Sequence, residues 1–455
     1  MRIRFWGTRG SIATPGPGTN RFGGNTSCVE LRTEAGDILI FDCGTGARAL
    51  GAELMTAAAA PLRVHFLIGH THWDHIQGFP FFAPVFAPGN RVDLYAPDGG
   101  RRSLHQVLAG QMEYTYFPVE LAQLPAEIKY HVLGEGTYAV AGARVTTQFL
   151  NHPAPTLGYR LDCDGATVVY MADHEPFAET LWRGDAEPGR VESMLHEGDR
   201  RHAEFMRGAD LVIHDAQYTP EEYQAKKNWG HSAYDYVVGV AAAAGVRRLA
   251  LTHHDPAHDD AFVAEIERRA RAEAARYETR LEVFCAYEGY ALRVGTGASG
   301  EMARSLLRAS GPLSPPVVLP ARPELLFVDD NDELRILTAQ FLTKEGFSVR
   351  EAGDGREALA RLSEAVPDLA LLDMDMPHLG GLEVLRFMRA RAELARVPVL
   401  ILTGATDEES IRAGFEAGAT DFLSKPFSTP QLLARVRACL TRAAAGGSAA
   451  VPDAS

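Results

Sequence analysis

The sequence predicts an α/β protein built from more than one domain. Its 455 residues exceed the roughly 100 to 200 residues of a typical domain, which indicates two domains or three. Hydrophobic residues make up 46% and charged residues 23% of the chain, a balance typical of globular rather than disordered proteins. Short apolar runs alternate with turns and helical patterns, and this alternation favours α/β layering.

Charge and cysteine content argue against several function classes. The chain has 59 acidic residues against 45 Lys and Arg, a net charge of −14, so we do not expect stable nucleic-acid binding. The five cysteines are scattered without a C-x-x-C pair and fit a reducing cytoplasm. No apolar run approaches the roughly 18 residues of a membrane span, and MRIRFWGTRGSI lacks a signal-peptide core. We therefore expect a cytoplasmic location and no membrane partner.

Composition divides the chain into four segments. We expect the first domain over residues 1–295, a Gly-, Ser- and Pro-rich linker over 296–322, a second domain over 323–443 and a disordered tail over 444–455. The strands of the first domain are predicted at Ile38–Phe41, Val64–Ile68, Val145–Leu150, Val168–Met171, Leu211–Ile213 and Leu249–Leu251. Those of the second are predicted at Leu325–Val328, Leu369–Leu372 and Val399–Leu402. In the second domain each run is near-continuously apolar and precedes a helical pattern, which predicts a parallel doubly wound sheet.

Four potential metal ligands follow one predicted strand directly. The stretch VHFLIGHTHWDHIQGF places His70, His72, Asp74 and His75 within six residues. On a tight turn the first two histidines can reach one metal ion, while the aspartate and the last histidine reach a second. Imidazole with carboxylate suits zinc or another first-row ion. The alternative interpretation is a solvated polar turn.

Three further ligand-type residues follow separate predicted strands. His152 comes after VTTQFL, Asp173 after VVYMA and His253 after LALT. Side chains at one edge of a sheet converge, so all seven residues could hold two ions about 3.5 to 4 Å apart with Asp173 between them.

The HTHWDH stretch resembles the H-x-H-x-D-H signature of the metallo-β-lactamase superfamily, and this resemblance implies an αββα sandwich. Within that superfamily FGGNTSCVEL, FDCGTG, NHPAPTLGYR and WGHS most resemble the phosphodiesterase and tRNase Z branch. The resemblance implies one metal site made of His70, His72 and His152, a second made of Asp74, His75 and His253, and Asp173 as the bridge. His254 is the alternative to His253 in the second metal site, because LTHHDP offers two neighbouring histidines.

Two more residues are candidates for catalysis beside Asp74. His231 precedes a helical pattern in which Ser232 and Asp235 predict a capping box, and the same branch of the family uses a histidine here as proton donor. Simple packing beside the cap is the alternative. Asp215 follows the strand LVIH and would orient His231 or a metal-bound histidine; the alternative is a simple buried hydrogen-bonding aspartate. Asp42 is expected to contact the metal-binding side chains rather than the metal ions themselves.

The expected substrate is a small phosphodiester, such as a cyclic nucleotide. Two cations activate water and neutralise phosphoryl oxygens, and the chain has no long Gly- and Lys/Arg-rich insertion of the kind tRNase Z enzymes use to clamp tRNA. Tyr114, Tyr116 and Phe117 could form a wall that stacks a nucleobase, or a plain hydrophobic lid. Zinc is the expected metal, with manganese or iron as alternatives. The alternative functions are a thioester or lactone hydrolase, an RNA-processing nuclease and a diiron redox sensor. The histidine at position 72 argues against the redox sensor.

Acidic residues in the second domain predict a magnesium site. Asp329 and Asp330 end its first strand, Asp373 ends LALLD, and ILTGA and FLSKPF supply Thr403 and Lys425. The carboxyl ends of parallel strands form one crevice, and paired acids there bind Mg²⁺.

This set resembles the flavodoxin-like receiver domain of two-component response regulators over its whole length. The resemblance implies that Asp373 is the phosphoacceptor and that Asp329, Asp330 and the carbonyl of Asp375 hold Mg²⁺. It further implies that Lys425 pairs with the phosphoryl group while Thr403 and Phe422 act as the switch. The expected partner is a sensor histidine kinase, and phosphorylation is expected to change the activity or the homodimerisation of the first domain.

Overall fold

The computed structural model describes residues 1–58, 60–99, 102–178, 180–182, 188–295, 320, 322–404 and 408–446. The chain divides into two compact units. Apart from residues 320 and 322, the predicted linker lies outside the described residues, as does the predicted tail beyond residue 446. No helix in the described part is long and apolar enough to cross a membrane.

Two seven-stranded sheets form the centre of the first unit. Its strands are β1 (Arg2–Gly7), β2 (Cys28–Arg32), β3 (Ile38–Phe41), β4 (Arg63–Leu67), β5 (Arg91–Pro97), β6 (Glu127–Leu133), β7 (Gly136–Val140), β8 (Ala143–Phe149), β9 (Leu157–Cys163), β10 (Ala166–Met171), β11 (Leu211–Asp215), β12 (Arg248–Thr252), β13 (Glu282–Cys285) and β14 (Ala291–Arg293). The strand orders are β14-β1-β2-β3-β4-β5-β6 and β13-β12-β11-β10-β9-β8-β7. The sheets face each other, since Phe41 of the first stacks on Tyr170 of the second with ring centroids 4.7 Å apart.

Helices cover the outer face of each sheet. They are α1 (Gly46–Ala57), α2 (Trp73–Ile76), α3 (Leu104–Gln111), α4 (Glu197–Met206), α5 (Pro220–Tyr223), α6 (Tyr234–Ala243) and α7 (Asp260–Ala274). One apolar core joins Leu50 of α1 and Leu108 of α3 to the first sheet. A second core joins Val237 of α6 and Val263 of α7 to the second sheet. These layers confirm the predicted αββα sandwich.

Strand register sets the position of the metal-ligand residues. β10, β11 and β12 are parallel neighbours, and Met171 lies opposite His214 while Asp215 lies opposite Thr252. The residues at or just beyond these strand ends therefore meet at one edge of the sheet. In the first sheet β3 and β4 are also parallel, with Phe41 opposite Leu67, so the segments that follow them leave side by side.

The second unit is a five-stranded parallel sheet in the order β16-β15-β17-β18-β19. Its elements are β15 (Glu324–Val328), α8 (Asp332–Lys344), β16 (Ser348–Ala352), α9 (Gly355–Glu364), β17 (Leu369–Asp373), α10 (Gly381–Arg389), β18 (Val399–Gly404), α11 (Glu408–Glu416), β19 (Asp421–Lys425) and α12 (Thr429–Gly446). The doubly wound sheet is as predicted. The last helix runs to Gly446, past the expected domain end at residue 443.

Candidate metal centre and phosphorylation site

All seven predicted metal-ligand residues of the first unit lie in one cluster. Asp173 belongs to both groups that form it, and the ligand atoms within each group lie within 4.8 Å of one another. The first group is His70, His72, His152 and Asp173, and the second is Asp74, His75, Asp173 and His253. All are buried except His72, so the cluster meets solvent at His72.

Several buried polar atoms of the cluster have no hydrogen-bond partner within the described residues. They are both ring nitrogens of His70, Nε2 of His75 and Oδ1 of Asp173. Burying a polar group without a partner is costly, and bound cations would remove that cost for Nε2 of His70, which lies 3.4 Å from Asp173, for Nε2 of His75 and for Oδ1 of Asp173. Imidazole nitrogens and carboxylate oxygens are ligands for zinc, manganese and iron. The donor set therefore fits two divalent cations.

Burial keeps the histidines of the first group neutral. It lowers the pKa of His152 to about 3, an effect to which the neighbouring rings of His231 and His72 add. Burial and the adjacent histidines also hold the pKa of His70 well below its ordinary value. The Nδ1 of His152 donates to the carbonyl of Gly230 over 3.0 Å, which leaves its Nε2 3.2 Å from Nδ1 of His72. Neutral imidazole is the form that binds metal ions.

A buried carboxylate behind the second group orients His75. Nδ1 of His75 lies 2.7 Å from Oδ2 of Asp42, and because a carboxylate only accepts, Nδ1 carries the proton. Asp42 also accepts from the Tyr170 hydroxyl over 2.5 Å and from the backbone N–H of Gly69 over 2.7 Å. Nε2 of His75 therefore faces Asp74 and Asp173, whose oxygens lie 3.3 Å away. This is the supporting role predicted for Asp42.

The structure separates the two neighbouring histidines His253 and His254. Nε2 of His253 lies 3.0 Å from Oδ2 of Asp74 and 3.3 Å from Oδ1 of Asp173. In contrast, Nε2 of His254 donates to the carbonyl of Ala286 over 2.9 Å, and burial lowers the pKa of His254 to about 3. His253 is therefore the member of the pair that joins the cluster. Its φ of 62° is uncommon for a non-glycine residue and lets consecutive residues point to different sides.

The N-terminal loop closes over the second group, which the sequence did not indicate. The backbone N–H of Ser11 donates to Oδ2 of Asp74 over 2.7 Å. Gly10 packs so closely that a Cβ there would lie 2.2 Å from Nδ1 of His253. The loop is held by the buried Arg9, which donates to the carbonyls of Gly23 and His258. Backbone contacts of this kind do not depend on residue type, so they leave no pattern in the sequence.

His231 lies beside the cluster and is paired with Asp215. Its Nδ1 lies 3.1 Å from Oδ2 of Asp215, and its ring centroid lies 4.8 Å from that of His253 and 5.6 Å from that of His152. The fully buried Asp215 also accepts from the backbone N–H groups of Gln217 and Ser232. The contact predicted between His231 and Asp215 is therefore present.

One local prediction near the site is wrong. Ser232 does not cap the following helix, because α6 has Ala233 as its N-cap with no side-chain cap bond, and the Ser232 hydroxyl donates to the carbonyl of His174 instead. Phe117 packs edge-on against Phe81 with ring centroids 5.4 Å apart and lies partly buried against the apolar core of the first sheet.

The acidic residues of the second unit also converge. Asp329, Asp330 and Asp373 form one group of possible cation ligands, and Nζ of Lys425 lies 2.7 Å from Asp329 and 2.8 Å from Asp373. Burial disfavours the ammonium, but the hydrogen bonds that Lys425 donates to these two carboxylates raise its pKa. The backbone N–H of Asp375 donates to Asp373 over 3.3 Å.

The predicted switch residues lie on the neighbouring strands. Thr403 is fully buried, and its Oγ1 has no hydrogen-bond partner within the described chain. Phe422 is 5% exposed and contacts Phe415 edge-on. Thr403 lies on β18, which neighbours the strand that ends in Asp373, and Phe422 lies one strand further out, on the edge strand β19.

Comparison with known families decides what the two units are. Residues 38–254 match the model of the beta-lactamase superfamily domain. Residues 325–437 match the model of the response regulator receiver domain. The chain joins a beta-lactamase superfamily domain to a response regulator receiver domain.

Similar proteins share one domain or the other. The phosphate regulon transcriptional regulatory protein PhoB of Rhizobium meliloti is 42% identical to the receiver over 121 residues, which cover 27% of this chain and 53% of PhoB. GltR of Pseudomonas aeruginosa is 40% identical over 119 residues, 26% of this chain and 49% of GltR. The chain thus spans about half the length of these curated relatives. The metallo-beta-lactamase fold protein YhfI from Bacillus subtilis is 19% identical, with a TM-score of 0.44, over 64% of this chain and 99% of that chain.

His174 connects several parts of the beta-lactamase superfamily site, and the sequence did not single it out. It directly follows Asp173, and its Nδ1 accepts from the backbone N–H of Asn151 over 3.2 Å. The backbone N–H of His174 donates to Oδ2 of Asp215 over 3.3 Å, and its backbone carbonyl accepts from the Ser232 hydroxyl over 2.6 Å. His174 therefore ties together the segments that carry His152, Asp173 and His231. A lone histidine after an aspartate gives no signal of such a role.

Proposed function

We propose that the beta-lactamase superfamily domain is a binuclear metal-dependent hydrolase that cleaves a small phosphodiester, and that phosphorylation of the receiver domain regulates it. The observation that carries this proposal is the sharing of Asp173 by two groups of ligand atoms. The unpartnered buried atoms on His70, His75 and Asp173 support the same proposal, because bound cations would compensate the cost of burying Nε2 of each histidine and Oδ1 of Asp173.

Each residue of the cluster has a proposed place in the metal centre. His70, His72 and His152 would hold one cation, Asp74, His75 and His253 the other, and Asp173 would contact both. Zinc is the proposed metal, with manganese or iron as alternatives. Two such cations supply an activated water near neutral pH and neutralise the non-bridging oxygens of a phosphodiester. Asp42 fixes the tautomer of His75, so that Nε2 is the nitrogen presented to the ions.

His231 is the proposed proton donor to the leaving alkoxide. Its Nδ1 lies 3.1 Å from the buried carboxylate of Asp215, so Asp215 holds the orientation of the ring. The ring centroid of His231 lies 4.8 Å from that of His253, close enough to the cluster for its other nitrogen to reach a leaving oxygen. General acid catalysis of this kind raises the reaction rate by about 100- to 10,000-fold.

Asp373 is the proposed phosphoacceptor for a sensor histidine kinase. Asp329, Asp330 and the carbonyl of Asp375 would bind Mg²⁺, and Lys425 would move from the carboxylate pair to the phosphoryl group. Thr403 would then use its unpartnered hydroxyl to contact the phosphoryl group, and the already buried Phe422 would repack in response. The proposed output is a change in hydrolase activity or in homodimerisation.

The test is hydrolysis of bis(p-nitrophenyl) phosphate by the zinc- or manganese-loaded full chain. We expect turnover that disappears in the His72→Ala, Asp74→Ala double variant. Acetyl phosphate with Mg²⁺ should change the rate or the oligomeric state of the wild-type protein and leave the Asp373→Asn variant unchanged. Absence of turnover in a metal-replete protein would refute the phosphodiesterase. An identical response of the wild type and the Asp373→Asn variant would refute the regulation.

A further inference from the structure

A buried carboxylate, that of Glu175, lies two residues after Asp173 in the chain and anchors a loop. It accepts from the backbone N–H of Asn228 over 2.6 Å, from the backbone N–H of Gly230 over 2.9 Å and from the Tyr223 hydroxyl over 3.1 Å. Burial raises the pKa of Glu175, and these hydrogen bonds oppose the shift because they stabilise the anion. Hydrogen bonds to a charged acceptor are the stronger kind. Glu175 therefore holds this loop from inside the protein.

The anchored loop has an uncommon backbone at both residues that donate their N–H groups. The φ angle is 69° at Asn228 and 88° at Gly230, in the left-handed region that asparagine and glycine adopt more readily than other residues. A conformation of this kind persists where the surrounding contacts over-determine it. The hydrogen bonds to Glu175 are such contacts, so the path of the loop depends on this carboxylate.

The other side of the Gly230 residue contacts His152, a member of the first ligand group. The carbonyl of Gly230 lies 3.0 Å from Nδ1 of His152, and because a carbonyl only accepts, Nδ1 carries the proton. The unprotonated nitrogen is then Nε2, which lies 3.2 Å from Nδ1 of His72 and 3.9 Å from Oδ2 of Asp173. A metal ion binds only the unprotonated nitrogen. The Gly230 carbonyl thus selects the nitrogen that faces the other ligands.

The backbone of Glu175 is tied to the same histidine from another direction. Its N–H donates to the carbonyl of Asn151 over 2.8 Å, and Nδ2 of Asn151 donates to the carbonyl of Glu175 over 2.9 Å. Asn151 directly precedes His152 in the chain. Glu175 is therefore bonded through its backbone to the residue before His152, and through its side chain to the residue that orients the His152 ring.

We infer that Glu175 is a positioning residue of the metal centre, which aims the Gly230 carbonyl at Nδ1 of His152 and so presents Nε2 to the first cation. The inference rests on the proposed function, because it concerns how that metal centre is held. His231, the proposed proton donor, directly follows Gly230, so the same anchor sets where its segment begins.

The test is the Glu175→Gln substitution in the full chain, with zinc as the probe. Glutamine has nearly the same size, but its NH₂ group would face a backbone N–H of the loop. Competition with a chromophoric chelator should show one of the two stepwise dissociation constants weakened about 10- to 100-fold and the other changed less than about threefold. Glu30→Gln is the matched control, since Glu30 is 3% exposed and accepts from Nε1 of Trp6. It should leave both constants within about threefold of wild type.

A second substitution separates positioning from a general loss of structure. In a His152→Gln background, Glu175→Gln should change neither dissociation constant by more than about threefold, because Glu175 acts through His152. A further measurement needs no variant of Glu175. Nitrogen NMR of the metal-free wild-type chain with isotope-labelled histidine should show His152 protonated at Nδ1, and the His152→Gln variant assigns the signal.

Equal weakening of both dissociation constants by Glu175→Gln would overturn the inference, because a merely structural role predicts that result. So would unchanged constants, an undiminished effect in the His152→Gln background, or protonation of His152 at Nε2. None of these measurements requires turnover. A metal-replete protein that leaves bis(p-nitrophenyl) phosphate intact refutes the proposed phosphodiesterase alone, whereas any of the four results above in a protein that hydrolyses the diester refutes the role of Glu175 alone.

Discussion

The Asp42→Asn substitution tests how the second group of ligands is held. Asp42 uses Oδ1 to accept from Gly69 and Oδ2 to accept from both His75 and Tyr170. Asparagine has nearly the same size and tolerates the φ of 55° at this position. Its amide oxygen can still accept from Gly69, but its NH₂ group would then face the Nδ1–H of His75 and the hydroxyl of Tyr170, which are both donors in the wild-type protein.

The imidazole of His75 must change tautomer to avoid this donor–donor contact. Nδ1 would become the acceptor and Nε2 would carry the proton, although Nε2 is the nitrogen that faces Asp74 and Asp173 at 3.3 Å. Loss of a supporting carboxylate commonly weakens metal binding about 10- to 100-fold. Because the tautomer is also inverted, we expect about 100-fold weaker binding of one ion and less than about threefold change for the other. The metal-free protein should lose about 2 kcal/mol of unfolding free energy, since two hydrogen bonds to a charged acceptor are exchanged for weaker bonds with a neutral amide.

Competition with a chromophoric chelator would give the two stepwise dissociation constants, and urea unfolding of the metal-free protein would give the stability. The matched control is Tyr170→Phe, which removes one hydrogen bond to Asp42 but leaves the contact between Asp42 and His75. It should lower the unfolding free energy by about 1 kcal/mol with both dissociation constants within about threefold of wild type. Wild-type binding of two ions by Asp42→Asn, or equal weakening by Tyr170→Phe, would refute the reasoning.

Three further predictions concern individual residues. His253→Gln should reduce zinc content measured by plasma mass spectrometry from two ions to one per chain, whereas His254→Gln should keep two; the reverse result would exchange their assignments. Asp215→Asn should lower kcat for bis(p-nitrophenyl) phosphate at least about tenfold with unchanged metal content, because His231 loses the carboxylate that orients its ring; an unchanged kcat would remove His231 from proton transfer. Asp373→Asn should abolish the shifted band that acetyl phosphate and Mg²⁺ produce on a phosphate-affinity gel, and a persisting band would place the phosphoryl group on another residue.

The ligand cluster could be predicted because its residues directly follow apolar strands. His152, Asp173 and His253 each come within a few residues of a run whose strand assignment needs only hydrophobic patterning. Parallel register then brings the strand ends together. The receiver domain was predictable for the same reason, since Asp329 and Asp373 end or directly follow neighbouring buried strands.

The supporting contacts could not be predicted in the same way. Asp42 and Tyr170 are 128 residues apart in the chain, and Glu175 holds backbone N–H groups that any residue at those positions would offer. The local cap signal at Ser232 failed because a tertiary partner, the carbonyl of His174, takes its hydroxyl. Propensity and spacing describe neighbours in sequence, whereas these bonds depend on how distant segments meet.

The most direct test of the account is a metal titration of the metal-free full chain, followed by its rate of bis(p-nitrophenyl) phosphate hydrolysis. If Asp173 serves two ions together, the rate should rise until two equivalents of zinc or manganese per chain are bound and then stay constant. The Asp173→Asn variant should remain inactive throughout. A rate that is complete at one equivalent, or a fully active Asp173→Asn variant, would contradict the binuclear centre.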